Sequence, residues 1–161
     1  MGRFPGAPLA VPLLLLTALM APPRAQTAHA ASRPHTAVSV YDRQPPVTEK
    51  EVVSFVDLLP RFRQWTRDNR EEAHPVRRKG KADFLYSSEA AAWVKKEGWD
   101  PRRFFCVMGR MAAAVTILAE GNDMPARPGD MPAVSKSELD LARVHMGSLL
   151  RAGGNGAALE Q

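Results

Sequence analysis

The sequence has one cysteine, Cys106, among its 161 residues. A single cysteine cannot form an internal disulfide, so the fold must be stabilised by its hydrophobic core, which a chain of this length can build. No cysteine follows the N-terminal apolar run to carry a lipid, and this excludes a bacterial lipoprotein. A lone thiol in an exported protein is either buried and inert or able to link two chains. Cys106 is therefore a candidate for an intermolecular disulfide in a homodimer.

Histidine is also scarce, and the four histidines lie in separate segments. No two of them have the three- or four-residue spacing that puts two metal ligands on one helical face, so we expect no metal site and no cofactor. The sequence lacks a phosphate-binding glycine loop, a Gly-x-Ser-x-Gly motif and a His-Glu-x-x-His motif. These absences favour a protein without catalytic activity. The alternative is a small enzyme or redox protein that uses Cys106.

The longest apolar run, residues 9–21, has 13 residues, fewer than the about 20 that span a bilayer. Arg3 precedes the run and a small-x-small sequence ending at Ala30 follows it, a pattern typical of a secretory signal that is cut after Ala30. Cleavage after Ala25 is one alternative, and an uncleaved anchor is another. We predict that residues 1–30 are a signal peptide, that no transmembrane helix is left after cleavage, and that the mature protein is periplasmic or secreted from a bacterium.

Strand-forming segments are few. Residues 36–41 alternate between polar and apolar, but no second segment of comparable β character is available to pair with them, and a solitary strand is unstable. We therefore predict that residues 31–47 form an extended or disordered arm. Residues 152–161 contain three closely spaced glycines and are predicted to be a disordered tail. Residues 48–151 are left as one helical domain.

Four helices are predicted from capping residues and apolar spacing. Capping boxes begin two of them, at Thr48 and Ser135, and Ser87 or Ser88 can cap another. The first helix should kink or break at Pro60, which lacks the amide that would bond to the preceding turn. The last should run unbroken from Ser135. The predicted fold class is all-α, a small single-domain bundle of about four helices, the first one kinked at Pro60.

The remaining helix, the third along the chain, is the one around which the domain should be organised. Asp100 can cap it, Pro101 suits its first position, and Gly121 provides a stop. A stripe about 100° wide carries the large apolar residues that should form the core. These residues are Phe104, Val107, Met108, Met111, Val115 and Leu118.

The mature chain is only mildly basic, with a net charge of +3, but its cations are clustered. Residues 74–81 contain four of them and have no apolar period, which predicts an exposed basic loop. Arg102 and Arg103 lie at a helix start, where the dipole disfavours cations, and this favours either an anionic partner or neighbouring acids such as Asp100. Loop and helix together could form one anion-binding patch. The alternative is an ordinary solvated loop that happens to be basic, because short basic runs are frequent. The candidate binding residues are Arg77, Arg78, Lys79, Lys81, Arg102, Arg103 and Arg110.

These patterns predict an exported, non-catalytic helical protein that binds a protein or an anionic envelope component. No base-reading motif accompanies the basic residues, so specific nucleic-acid recognition is not expected. A self-associating structural protein linked through Cys106 is a further alternative.

Overall fold

Five helices and one two-stranded antiparallel sheet are formed by residues 39–120 and 131–154, the part of the chain that the computed structural model describes. In chain order they are α1 (Glu49–Asn69), β1 (Ala73–Arg78), β2 (Lys81–Tyr86), α2 (Ser88–Lys96), α3 (Pro101–Ala119), α4 (Lys136–Val144) and α5 (Met146–Ala152). The prediction of an all-α bundle of four helices is therefore wrong, because the fold contains both helices and a sheet.

Strands β1 and β2 form a β-hairpin, although an exposed basic loop is predicted for residues 74–81. Its two strands pair from Arg78 opposite Lys81 to Ala73 opposite Tyr86. The two connecting residues, Lys79 and Gly80, both have positive φ, 49° and 77°, as a type I′ turn requires.

Long-range packing explains why this short sheet forms. The β2 side chains Phe84 and Tyr86 stack on Phe105 of α3, with ring centroids 5.3 Å and 4.0 Å away. Counted from the two-residue turn, Pro75 falls where the amide of β1 points away from β2, so the sheet loses no hydrogen bond to it. The aromatic contacts to a distant helix override the weak β propensity of β1.

Helix α1 passes through Pro60 without a break. Its capping box at Thr48 is confirmed, and the helix then runs on to Asn69. Pro60 is exposed, while Leu59 and Phe62 on either side of it are buried. Burial of both flanking segments on one core compensates for the missing hydrogen bond to the turn before Pro60.

The caps predicted for the other helices are confirmed at Ser87, Asp100 and Ser135. The last helix, however, is divided into α4 and α5 at His145, whose φ of −99° and ψ of 11° are not helical. Gly147, a weak helix former, follows the division, and it lowers the gain from continuing one helix. The stop predicted at Gly121 lies outside the described residues.

Helix α3 is the centre of the core, since it contacts α1, α2, α4, α5 and β2. The predicted stripe is only partly buried: Met108, Val115 and Leu118 are half-buried. The hairpin and the segment before α1 cover further sides of the helix, so its buried set is wider than one stripe. The buried residues of α3 are Phe104, Phe105, Cys106, Val107, Gly109, Met111, Ala113, Ala114 and Ile117.

Residues 39–47 pack on the core, whereas an extended or disordered arm is predicted for this stretch. Val40 and Val47 are buried. The amide of Val40 donates to Asp83 Oδ1 at 3.0 Å. Tyr41 lies so close to α3 that a Cβ added at Gly109 would fall on its phenol. Apolar anchors at both ends thus attach these residues, called the arm below, to the core.

The predicted tail also begins too early. Ala152 is the buried last residue of α5, and Gly153 and Gly154 follow it as a turn. Burial of Leu149 and Ala152 extends the helix to the first glycine. Residues 31–38 and 155–161, the rest of the predicted arm and tail, lie outside the described residues.

Candidate functional site

Four of the predicted binding residues lie together at the turn of the hairpin. We call Arg77, Arg78, Lys79 and Lys81 the basic tip. Arg78 and Lys81 are opposite each other in the register, so their side chains leave one face of the sheet, and Arg77 leaves the other. Arg77, Lys79 and Lys81 are exposed, whereas Arg78 is half-buried. A two-residue turn thus concentrates cations at one end of the domain.

The charges of the basic tip are unevenly neutralised. Arg78 Nε lies 3.6 Å from Asp83 Oδ2, and the Asp83 side chain is only 6% exposed. The other oxygen of Asp83 accepts from the amides of Val40 and Phe84, so this carboxylate belongs to the fold. The three exposed cations of the tip form no ion pair with a carboxylate within residues 39–120 and 131–154. They are the part of the tip that can attract an anion.

A depression of about 140 Å³ lies between the basic tip and the arm. Ser39 and Asp42 of the arm and Asp83 of β2 line it together with residues of the tip. Its two carboxylates offset most of the positive charge inside the depression. With three cations and two carboxylates in its lining, the depression is only weakly positive.

The arginines of α3 do not join the tip in one patch, because they bind the arm. Arg102 Nη2 donates to the carbonyls of Ser39 and Asp42, at 2.9 and 2.6 Å. Arg103 donates to the carbonyl of Pro45 at 2.8 Å, and Arg110 donates to the same oxygen at 3.0 Å. Three candidate binding residues are thus engaged inside the fold.

Two carboxylates complete this attachment of the arm. Arg103 makes two hydrogen bonds to Glu51, Nε to Oε1 at 2.6 Å and Nη2 to Oε2 at 2.7 Å. These bonds, more than the opposing effect of burial, lower the pKa of Glu51 from 4.5 to about 2. The same bonds raise the pKa of Arg103. Both side chains are therefore charged at neutral pH, and each offsets the charge of the other.

Glu138 of α4 is the second carboxylate, and it is 1% exposed. Oε1 accepts from Arg110 Nη1 and from the amide of Val47, both at 2.9 Å, and Oε2 accepts from the amide of Ser135 at 2.8 Å. Burial raises the pKa of Glu138, but the hydrogen bonds from Ser135, Val47 and Arg110 outweigh it, and the net pKa is lowered. We call Arg103, Arg110 and Glu138 the arm clamp.

From the sequence, Glu138 is recognisable only as the last residue of the capping box that begins at Ser135. Its capping role with Ser135 is local and is confirmed. Its bond to Val47, 91 positions earlier in the chain, has no local signal.

Cys106 is fully buried on α3. Burial raises the pKa of its thiol more than the nearby Arg110 and Arg103 lower it, so the thiol is protonated at neutral pH. In this position the sulfur is inaccessible both to a cysteine of a second chain and to a substrate. Among the described residues, no group of three His, Cys, Asp or Glu side chains could hold a metal ion.

No protein-family model, curated protein or solved structure matches the chain. None of the helices in the described part of the chain is long and apolar enough to cross a membrane.

Proposed function

We propose that the protein is exported by its signal peptide and acts, without catalysis, by binding a protein or an anionic envelope component in the periplasm or outside the cell. The basic tip is the binding element. One observation carries this proposal: Arg77, Lys79 and Lys81 are exposed at the end of a hairpin and have no carboxylate partner among the described residues.

The hairpin suits this role because its other end is anchored. Phe84 and Tyr86 stack on α3, so the tip is held at a fixed place on the domain. A cation close to an anionic lipid surface contributes about 1 kcal/mol, and salt screens that attraction. The tip presents no large apolar side chain of the kind that dominates protein–protein interfaces. An anionic surface is therefore favoured over a protein as its partner.

Removing the three exposed charges of the tip tests the proposal. Because each contributes about 1 kcal/mol, R77Q/K79Q/K81Q should reduce binding to vesicles containing anionic phospholipid by about 50- to 200-fold at low salt. Cosedimentation with these vesicles and with zwitterionic ones measures the loss. Binding of the unaltered chain should fall steeply as salt rises.

The matched control removes three exposed cations elsewhere. K95Q/K96Q/K136Q has the same net charge as the tip variant and changes α2 and α4 instead. It should keep most of the affinity. An equal loss in both variants would assign binding to net charge alone, and affinity that is independent of salt would reject electrostatic binding altogether.

Export is tested on the same protein expressed in a bacterium. The mature chain should begin at Ala31, or at Gln26 if cleavage follows Ala25, and it should be found outside the cytoplasm. Mass spectrometry of the N-terminus after cell fractionation measures both. A cytoplasmic protein that retains residues 1–30 would contradict this half of the proposal.

A further inference from the structure

An apolar cleft of about 280 Å³ lies between α1, α3 and α5. The buried side chains of Phe55, Leu59, Met111 and Leu149 form its inner wall. Half-buried residues such as Met108, together with the exposed Ala112, form the rest. The volume is near the lower limit for small-molecule sites, about 300 Å³.

A positive charge lies beside one end of the cleft, on Arg63, which is not itself one of the residues that line it. Arg63 follows Leu59 by four residues on α1, so it lies one turn further along the same face. Gly153 lines the cleft, and a Cβ added at the next residue, Gly154, would fall on the Arg63 guanidinium. Arg63 Nη1 donates to the carbonyl of Ala152 at 3.4 Å. The cation is therefore at the Gly153 end of the cleft.

This guanidinium is available to a ligand. Arg63 is half-buried and forms no ion pair with a carboxylate in residues 39–120 or 131–154. Its one hydrogen bond to a described residue leaves further N–H groups that can donate to an anion. A half-buried arginine at the end of an apolar cleft is complementary to a molecule with an apolar body and an anionic head.

We propose that the cleft binds a free medium-chain alkyl carboxylate, with the chain between α1, α3 and α5 and the carboxylate at Arg63. The volume is roughly twice that of an apolar cavity that takes one benzene, which is room for about eight to twelve methylene carbons. It holds one chain, so a single-chain acid fits it better than a two-chain membrane lipid. The thioethers of Met108 and Met111 suit a flexible ligand, because methionine adapts its shape.

Calorimetric titration of the full chain with decanoate tests this proposal. Decanoate should bind with one-to-one stoichiometry, and octanoate should bind about fifteenfold more weakly, since each methylene is worth about 0.8 kcal/mol. Ala112→Phe places a ring in the cleft from its exposed rim and should weaken binding at least tenfold.

Two further variants test the headgroup. Arg63→Gln should weaken decanoate about three- to tenfold and leave decanol unchanged, because only the ion pair is lost. Arg67→Gln, one turn further along α1 and exposed, should change neither. A decanoate affinity that is equal in Arg63→Gln and the unaltered chain would overturn the proposal. It would also be overturned if millimolar decanoate does not bind, which is the result expected if another segment of the chain fills the cleft. Dissociation of a dimer by Ala112→Phe would overturn it as well, because the cleft would then be covered by a second copy of the chain.

Discussion

Replacing Phe105 with alanine should lower the free energy of unfolding by about 3–5 kcal/mol, the usual cost of truncating a buried phenylalanine. Phe105 is fully buried, and its ring is the place where the sheet meets the helices. It contacts Phe84 and Tyr86 on one side and Phe62 and Phe104 on the other, with ring centroids 4.0 to 5.7 Å away. The variant therefore loses both apolar burial and the attachment of the hairpin.

Because the hairpin is held by Phe105, this variant should also have a local effect on the hairpin. An isolated two-stranded hairpin is marginal in water, so residues 73–86 should open more readily once their aromatic support is gone. Urea denaturation measures the total loss of stability, and hydrogen exchange followed by mass spectrometry should show the largest gain in the hairpin.

Val115→Ala is the control on the same helix. Val115 is half-buried and lies ten residues further along α3 than Phe105, so this change should cost less than about 1.5 kcal/mol and leave hairpin exchange close to that of the unaltered chain. Uniform acceleration of exchange along the whole Phe105→Ala chain would show that the hairpin does not depend on this ring in particular.

The helix starts could be predicted because their signals are local. Thr48, Ser87, Asp100 and Ser135 each cap an amide three residues on, so a window of four residues contains the whole interaction. The hairpin has only a weak signal of this kind. Lys79-Gly80 suits a two-residue turn, but Pro75 argues against a strand, and the contact that outweighs it comes from Phe105 in another helix.

The arm could not be predicted for a different reason. Its partners are arginine side chains that bind backbone carbonyls 57 to 66 positions away, and a carbonyl carries no information about residue type. The unfavourable place of Arg103 at a helix start indicates an anionic partner, either an external anion or an acid of the chain itself, for which Asp100 is the candidate. In the structure that partner is Glu51 of α1. The predicted patch is therefore split: the arginines of α3 bind the arm, and the basic tip is the part left at the surface.

Replacing Glu138 with glutamine should lower the free energy of unfolding at pH 7 by about 3–5 kcal/mol, the cost of removing one partner of a buried ion pair. The Arg110 side chain is 12% exposed and that of Glu138 is 2% exposed, so the charge left behind would be poorly solvated. The glutamine side chain keeps nearly the same size but loses the negative charge. Each oxygen of Glu138 accepts from a backbone amide, so glutamine, which has a single acceptor oxygen, leaves the amide of Val47 or of Ser135 without its acceptor. The arm should loosen if Val47 is the one that loses it.

Asp140→Asn is the matched control for this change. It removes the same charge from the same helix, but Asp140 is 55% exposed and pairs with Arg143, which is 56% exposed. An exposed pair of this kind contributes at most about 1 kcal/mol. Urea denaturation of both variants at neutral pH separates the role of a buried carboxylate from that of net charge. Equal losses would contradict a special role for Glu138.

Lowering the pH should reduce the difference in the free energy of unfolding between the unaltered chain and Glu138→Gln. The folded pKa of Glu138 lies below its ordinary value of 4.5, so its contribution is complete above pH 4.5 and is lost as the pH falls through the folded pKa. The contribution of Glu51, whose folded pKa is about 2, also falls in acid, but it does so equally in both proteins. Urea denaturation at pH 7 and near pH 3 should therefore show a smaller gap in acid. A gap that stays constant would mean that Glu138 stabilises the arm by its shape and not by its charge.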